Sequence, residues 1–210
     1  MAHFSLLHCI VPLTGLVGRS ATLCLYLLRT LFAMAILPLP YALVYHLAST
    51  CGALYLGALE TKTPTGLPNQ VYVRGALATL VLACFALFLL HPVGSQASLY
   101  TIFWLIPLIP LALPSKKAVR PEELWPRRAL HALGATFTTH AVGSVIWLYC
   151  VGTLTPQGWL ALMPIVCLER LLFASGITIG ISIYSIIQRL LYTMSCHAFC
   201  SRTLKRFLHV

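Results

Sequence analysis

Three polar side chains recur at intervals of four residues within one long apolar stretch: Thr136, His140 and Ser144. In a helix this spacing places them in one row on the same face. A histidine can bind a solute or ligate a metal, and a serine one turn away can donate or accept a hydrogen bond. Trp147 stands towards the outer end of the row. The row therefore predicts one wall of a solute pocket, unless its hydroxyls bond to backbone carbonyls and His140 joins two helices.

The adjacent residues Glu169 and Arg170 supply the second set of reactive groups, on the next apolar segment. At 1.5 Å per residue, His140 and Glu169 both lie about 16 Å from the outer ends of their segments, so we expect them to face each other. Neighbouring residues project about 100° apart around a helix, which predicts that Glu169 and Arg170 do not simply neutralise one another. One of the two should face a cavity or another helix.

Two further ionisable residues, Arg29 and His46, fall in the outer half of earlier apolar segments. Ionisable groups within a membrane are costly and each marks a candidate functional site. An alternative registration begins the last span at residue 171 and leaves Glu169 and Arg170 at the outer surface. Pro164 is a possible break in the helix under either registration.

The composition of the chain indicates that these groups lie in an apolar environment. Hydrophobic residues make up 59% of the 210 residues and charged residues 9%, where a soluble domain carries about 25% charged residues. The chain has four glutamates and no aspartate, which excludes aspartate dyads, Ser-His-Asp triads and Asp-bound Mg²⁺ sites. We expect no enzyme, no metal site and no cofactor.

Apolar runs long enough to cross a membrane recur along the whole chain. A spanning helix needs roughly 20 residues, with about 17 as the lower limit. Six stretches reach or approach that length: 21–37, 41–57, 75–91, 97–114, 129–151 and a run that begins at 158. The sequence predicts an all-α integral membrane bundle of six transmembrane helices.

The distribution of charge predicts how the bundle is oriented. The loops 58–74 and 115–128 and the tail after 188 carry basic residues, whereas the two intervening loops are uncharged. Six spans place all basic segments on one side, which the positive-inside rule makes the cytoplasm, with both termini there. Glu60, Glu122 and Glu123 should be solvated in the cytoplasmic loops. The net charge of +10 then faces anionic membrane lipids, not nucleic acid.

The chain divides into an N-terminal interfacial or disordered segment (1–20), a six-helix domain (21–190) and a basic cytoplasmic tail (191–210). The apolar stretch 5–17 is too short to span, and we expect it along the membrane interface or against the bundle. The start of the chain lacks the basic region and small-residue site of a cleaved signal peptide. Most of the eight cysteines lie inside apolar runs, so we assign no disulfides.

The stretches HAVGSVIWLY (140–149) and PIVCLERLLFASG (164–176) resemble the last two helices of small prokaryotic six-helix membrane proteins. The family they resemble is the substrate-binding S components of energy-coupling-factor vitamin transporters. The resemblance implies a subunit of the plasma membrane that captures a vitamin or similar metabolite, coupled to separate ATPase and transmembrane subunits. It also implies ligand contacts at His140, Trp147, Glu169 and Arg170. The segment 21–37 lacks the Ala-x3-Ala pattern through which such subunits dock.

Two functions follow from these observations. The first is import of a small metabolite such as a vitamin by a transporter subunit. The alternative is a redox subunit in which His46 and His140 ligate a haem. A membrane enzyme would need oxyanion donors and an oriented base beside Ser144, which the sequence does not supply.

Overall fold

The computed structural model describes residues 11–16, 24, 28, 31–32, 41, 46–60, 68–113 and 121–208. Within these ranges all regular structure is helical and no strand forms, so the all-α prediction is confirmed. Beyond residue 190 the backbone is described to 208, but of the side chains only those of Leu191 and Thr193.

The helices follow one another with short connections. In chain order they are α1 (Ala48–Glu60), α2 (Pro68–Leu90), α3 (Pro92–Gln96), a 3₁₀ helix (Ser98–Leu105), α4 (Leu108–Ala112), α5 (Pro121–Cys150) and α6 (Pro156–Leu208). A 3₁₀ turn at Thr14–Leu16 precedes them.

Prolines and one glycine set several helix ends. Helices α2, α3, α5 and α6 each begin with a proline, whose missing N–H costs nothing in the first turn. The turn between α5 and α6 contains Gly152 at φ 62°, where the N–H of Gly152 bonds to the carbonyl of Trp147. This left-handed geometry favours glycine. Pro164 leaves α6 continuous, although a break there was considered.

Helices α1 and α5 approach closely through one glycine from each. A Cβ at Gly52 of α1 would clash with Thr139 and the Ala135 carbonyl, and a Cβ at Gly134 of α5 would clash with the ring of Tyr55. The space at Gly134 lets the Tyr55 hydroxyl reach the carbonyl of Pro107, just before α4. These contacts fix α1 against the centre of α5.

Two hydrophobic clusters form the interior. One lies around Tyr55, Leu56, Ala132 and Ile177, and the other is rich in aromatic rings. Residues 11–16 pack against the first, where Leu13 contacts Gly180 and Leu16 is buried. Of the two expected positions for the N-terminal segment, the described part lies against the bundle.

Two helices are long and apolar enough to cross a membrane, Val71–Leu90 and Pro156–Leu191. The apolar segment Ser98–Ala112 is shorter and consists of the 3₁₀ helix and α4, with Pro107 between them. Helix α5 has 30 residues and begins before the predicted span 129–151, and it carries the polar row. Two of the six predicted spans, 75–91 and the run from 158, are therefore helices of spanning length. Most of 21–37 lies outside the described residues, and the six-span bundle stays a prediction.

The helices are arranged so that charge is sorted between their two ends. The Tyr149 hydroxyl donates to the Leu87 carbonyl and the ring of His91 packs on Tyr149. These contacts bring α3 close to the turn 151–155. We call this the uncharged end. At the opposite end, which we call the basic end, Arg74, Arg127 and Arg128 lie where α2 and α5 begin.

Candidate functional site

The polar row of α5 meets a tyrosine from the 3₁₀ helix. The hydroxyl oxygen of Tyr100 lies 2.7 Å from Nε2 of His140 and 3.5 Å from Oγ of Ser144. Tyr100 and Ser144 are buried and His140 is half-buried. One hydroxyl therefore contacts both residues of the i, i+4 pair, as their shared helix face predicts.

Aromatic rings surround the Tyr100 side chain. Its ring centroid lies 5.7 Å from Phe88, 6.2 Å from Trp104 and 4.9 Å from Trp159. Edge-to-face and offset arrangements of this kind stabilise aromatic clusters. Within the described part of the chain, the buried indole N–H groups of Trp104 and Trp159 have no hydrogen-bond partner. The site is thus a closed aromatic cluster with unsatisfied donors.

Glu169 and Arg170 form an ion pair, with Nη2 of Arg170 2.7 Å from Oε2 of Glu169. The prediction that these neighbours do not pair was wrong, because both side chains are long enough to bend across the 100° between them. The Arg170 side chain is 11% exposed and that of Glu169 28%. The guanidinium also stacks over the Phe173 ring, 4.9 Å from its centroid, a favourable cation–π contact.

The ion pair lies near the Tyr100–His140 hydrogen bond. Arg170 interacts electrostatically with both His140 and Tyr100, and Glu169 with Tyr100. No hydrogen bond joins Glu169 to His140 within the described residues, since each has another partner.

The other predicted members of the site lie less centrally. The Thr136 hydroxyl donates to the Leu133 carbonyl at 2.9 Å, which is the structural alternative considered for this residue. The ring of Trp147 packs edge-on against Tyr41, with centroids 6.0 Å apart. Its indole N–H lacks a partner among the described residues.

His46 and Arg29 are not brought to the site by any described contact. His46 is buried, and its carbonyl accepts a hydrogen bond of 2.7 Å from the Thr50 hydroxyl. Arg29 lies outside the described residues. Within the described ranges, no group of three or more His, Cys, Asp or Glu side chains could hold a metal ion.

A second polar pair was missed in the sequence. Nδ1 of His131 lies 2.6 Å from Oε1 of Glu60, with the side chains 4% and 16% exposed. Glu60 was expected to be solvated, and that prediction was wrong, because α1 continues to Glu60 and packs this carboxylate against α5. A glutamate three residues after one predicted span (41–57) and a histidine near the start of another (129–151), at the same end of the bundle, were the available signals.

Two arginines near the basic end make interhelical hydrogen bonds. Arg128 donates to the hydroxyls of Ser182 and Ser185 at 3.2 and 2.7 Å. Arg74 donates to the Leu113 carbonyl at 2.6 Å. These arginines were predicted only as loop charges, and they instead tie α5 to α6 and the start of α2 to the end of α4.

Comparison with protein-family models, with curated proteins and with solved structures finds no match for this chain. Its function is therefore argued from the site, as the helical architecture alone specifies none.

Proposed function

We propose that this chain is a plasma-membrane transporter subunit that binds a small metabolite such as a vitamin within a six-span bundle. Two apolar helices of spanning length support a membrane location. The sorting of arginines to one end and uncharged loops to the other supports an orientation with the basic end and both termini in the cytoplasm. The segment 21–37 would supply the remaining span.

The observation that carries the proposal is the juxtaposition of the Tyr100–His140 hydrogen bond with the Glu169–Arg170 ion pair. Burial of ionisable groups among apolar helices is costly and marks functional positions in membrane proteins. The aromatic walls suit a flat ring. The bound solute would take the place of the Tyr100 hydroxyl at His140, with Ser144 and Trp147 beside it.

The unsatisfied donors favour a particular kind of solute. Trp104, Trp159 and the Nε of Arg170 present buried N–H groups without partners among the described residues. Buried donors gain most from an acceptor that replaces water. A ring compound bearing carbonyl or carboxylate oxygens therefore fits the site best.

Energy for transport would come from partner subunits. The sequence contains no G-x4-G-K-[ST] motif, the loop that binds nucleotide phosphates in many ATPases. The resemblance to energy-coupling-factor S components supports a division in which separate ATPase and transmembrane coupling subunits drive release. The missing Ala-x3-Ala pattern requires them to dock through another surface.

The proposal is tested by substituting Glu169→Gln, which keeps the side-chain shape and removes its charge. We expect weaker solute binding or uptake, while the protein still inserts in the membrane. The control is Glu123→Gln on the first turn of α5, which we expect to leave binding unchanged. Equal binding by wild type and Glu169→Gln would contradict a role for the ion pair in solute recognition.

A further inference from the structure

Helices α5 and α6 diverge to leave a lateral groove that is separate from the Tyr100 site. The groove has a volume of about 530 Å³, with walls from Trp125, Ala129 and Leu133 of α5 and from Leu171, Ala174 and Thr178 of α6. The side chains of Trp125 and Leu171 are 55% and 56% exposed. The groove is therefore open along one side of the bundle.

The surface of the groove is apolar in spite of its hydroxyl groups. The hydroxyl of Ser175 donates to the Leu171 carbonyl and that of Thr178 to the Ala174 carbonyl, both at 2.7–2.8 Å. Both hydroxyls donate their hydrogen bonds within α6, so they need no acceptor from a molecule bound in the groove. The groove thus suits a hydrocarbon chain.

The groove runs along α6, and Arg128 lies beside it, next to Ala129 of the α5 wall. From Leu171 to Ile179 it extends about 12 Å along α6, parallel to the bundle. One turn beyond Thr178 lies Ser182, whose hydroxyl accepts a hydrogen bond from Arg128. The Nε of Arg128 has no partner among the described residues, and Arg127 directly precedes Arg128 in the chain.

We propose that this groove binds one acyl chain of an anionic phospholipid of the cytoplasmic leaflet, with the headgroup phosphate at Arg128. The charge of the arginines is complementary to an anionic headgroup, and a tryptophan such as Trp125 close to basic residues is typical of the membrane interface. The inference rests on the membrane location in the proposed function and is independent of transport.

The test is quenching of Trp125 fluorescence by brominated acyl chains in reconstituted vesicles. The chain has four tryptophans, so the difference between wild type and Trp125→Phe isolates the Trp125 signal. Two vesicle types are compared, one containing brominated phosphatidylglycerol and the other brominated phosphatidylcholine. We expect stronger Trp125 quenching by the anionic lipid.

Substitutions of Arg128 test whether the preference for the anionic lipid arises at the groove. Arg128→Gln should lower the preference for phosphatidylglycerol by about fivefold, the factor that one basic residue near an anionic surface contributes. Arg128→Lys should retain it. The matched control is Arg189→Gln, an equal loss of charge at an exposed position on α6 about 10 Å beyond Ser182, which should retain the preference.

A second variant fills the groove and leaves Arg128 unchanged. Ser175→Phe, at an exposed position on the groove wall, should reduce Trp125 quenching by filling the space for the acyl chain. Equal quenching by both lipids, or a preference that survives Arg128→Gln, would overturn the inference and leave the transporter proposal standing. Absence of quenching by either lipid would overturn the membrane location as well.

Discussion

The hydroxyl oxygen of Tyr100 lies 2.7 Å from Nε2 of His140, although the residues are 40 positions apart in the chain. The contact joins the 3₁₀ helix to the centre of α5 and closes the space that the polar row was predicted to open. A solute that binds there must compete with Tyr100 for the imidazole. Removing the Tyr100 hydroxyl should therefore lower the stability of the protein and leave His140 free to bind a solute.

Tyr100→Phe is expected to destabilise the protein, since it leaves Nε2 of His140 and the Ser144 hydroxyl without this partner. Loss of a buried hydrogen-bond partner costs about 1–3 kcal/mol. Thermal unfolding in detergent measures the effect. Tyr149→Phe removes an exposed hydroxyl bonded to the Leu87 carbonyl and should change stability less. An equal loss of thermal stability in both variants would show that the Tyr100–His140 hydrogen bond contributes no more to stability than the exposed Tyr149–Leu87 bond.

The sequence predicted the helical architecture because long apolar runs and their breaks are local features. Prolines at 68, 121 and 156 mark helix starts, and Gly152 provides the turn after α5. The row of His140 and Ser144 could be predicted for the same reason, since a helix repeats regularly.

Contacts that depend on tertiary packing could not be predicted in this way. Tyr100 lies in a short apolar segment with no polar periodicity, and its partner is on another helix. Glu60 was assigned to the loop 58–74 because the predicted span ends at 57, and its pairing with His131 depends on where α1 ends. The Glu169–Arg170 pair depends on side-chain conformation, which a helical wheel does not contain.

The Glu60–His131 pair is expected to be energetically coupled. Glu60→Met or His131→Leu alone leaves a polar group without its hydrogen-bond partner, which costs about 1–3 kcal/mol. The double variant should be more stable than either single variant, since apolar residues can replace the pair. A double-mutant cycle by thermal unfolding measures the coupling. Additive single effects would contradict direct interaction.

The close approach of α1 and α5 at Gly134 is expected to tolerate no side chain. A Cβ there meets the Tyr55 ring, so Gly134→Ala should cost about 1–3 kcal/mol through overpacking. Gly75→Ala is the matched control, because a Cβ at Gly75 meets nothing within 4 Å. That variant should be neutral or stabilising by about 0.5–1 kcal/mol. Gly134→Ala as stable as Gly75→Ala would contradict the packing.

The six-span orientation predicts which positions are accessible from outside the cell. In a variant without native cysteines, Ser95→Cys and Gln157→Cys at the uncharged end should react with a membrane-impermeant thiol reagent on intact cells. Lys117→Cys, in the basic loop, should react only after the membrane is permeabilised. Labelling of Lys117→Cys on intact cells would contradict the orientation.

The central claim, that the bundle holds a small solute beside His140, is tested most directly by mass spectrometry of the intact protein in mild detergent. We predict that wild type carries one small organic molecule and that His140→Ala loses it, while Tyr149→Phe keeps it. A visible absorption spectrum of the same sample identifies the molecule as haem if it is coloured. Wild-type protein at the bare mass of the chain, with no change in thermal stability on addition of any of a panel of vitamins, would contradict the account.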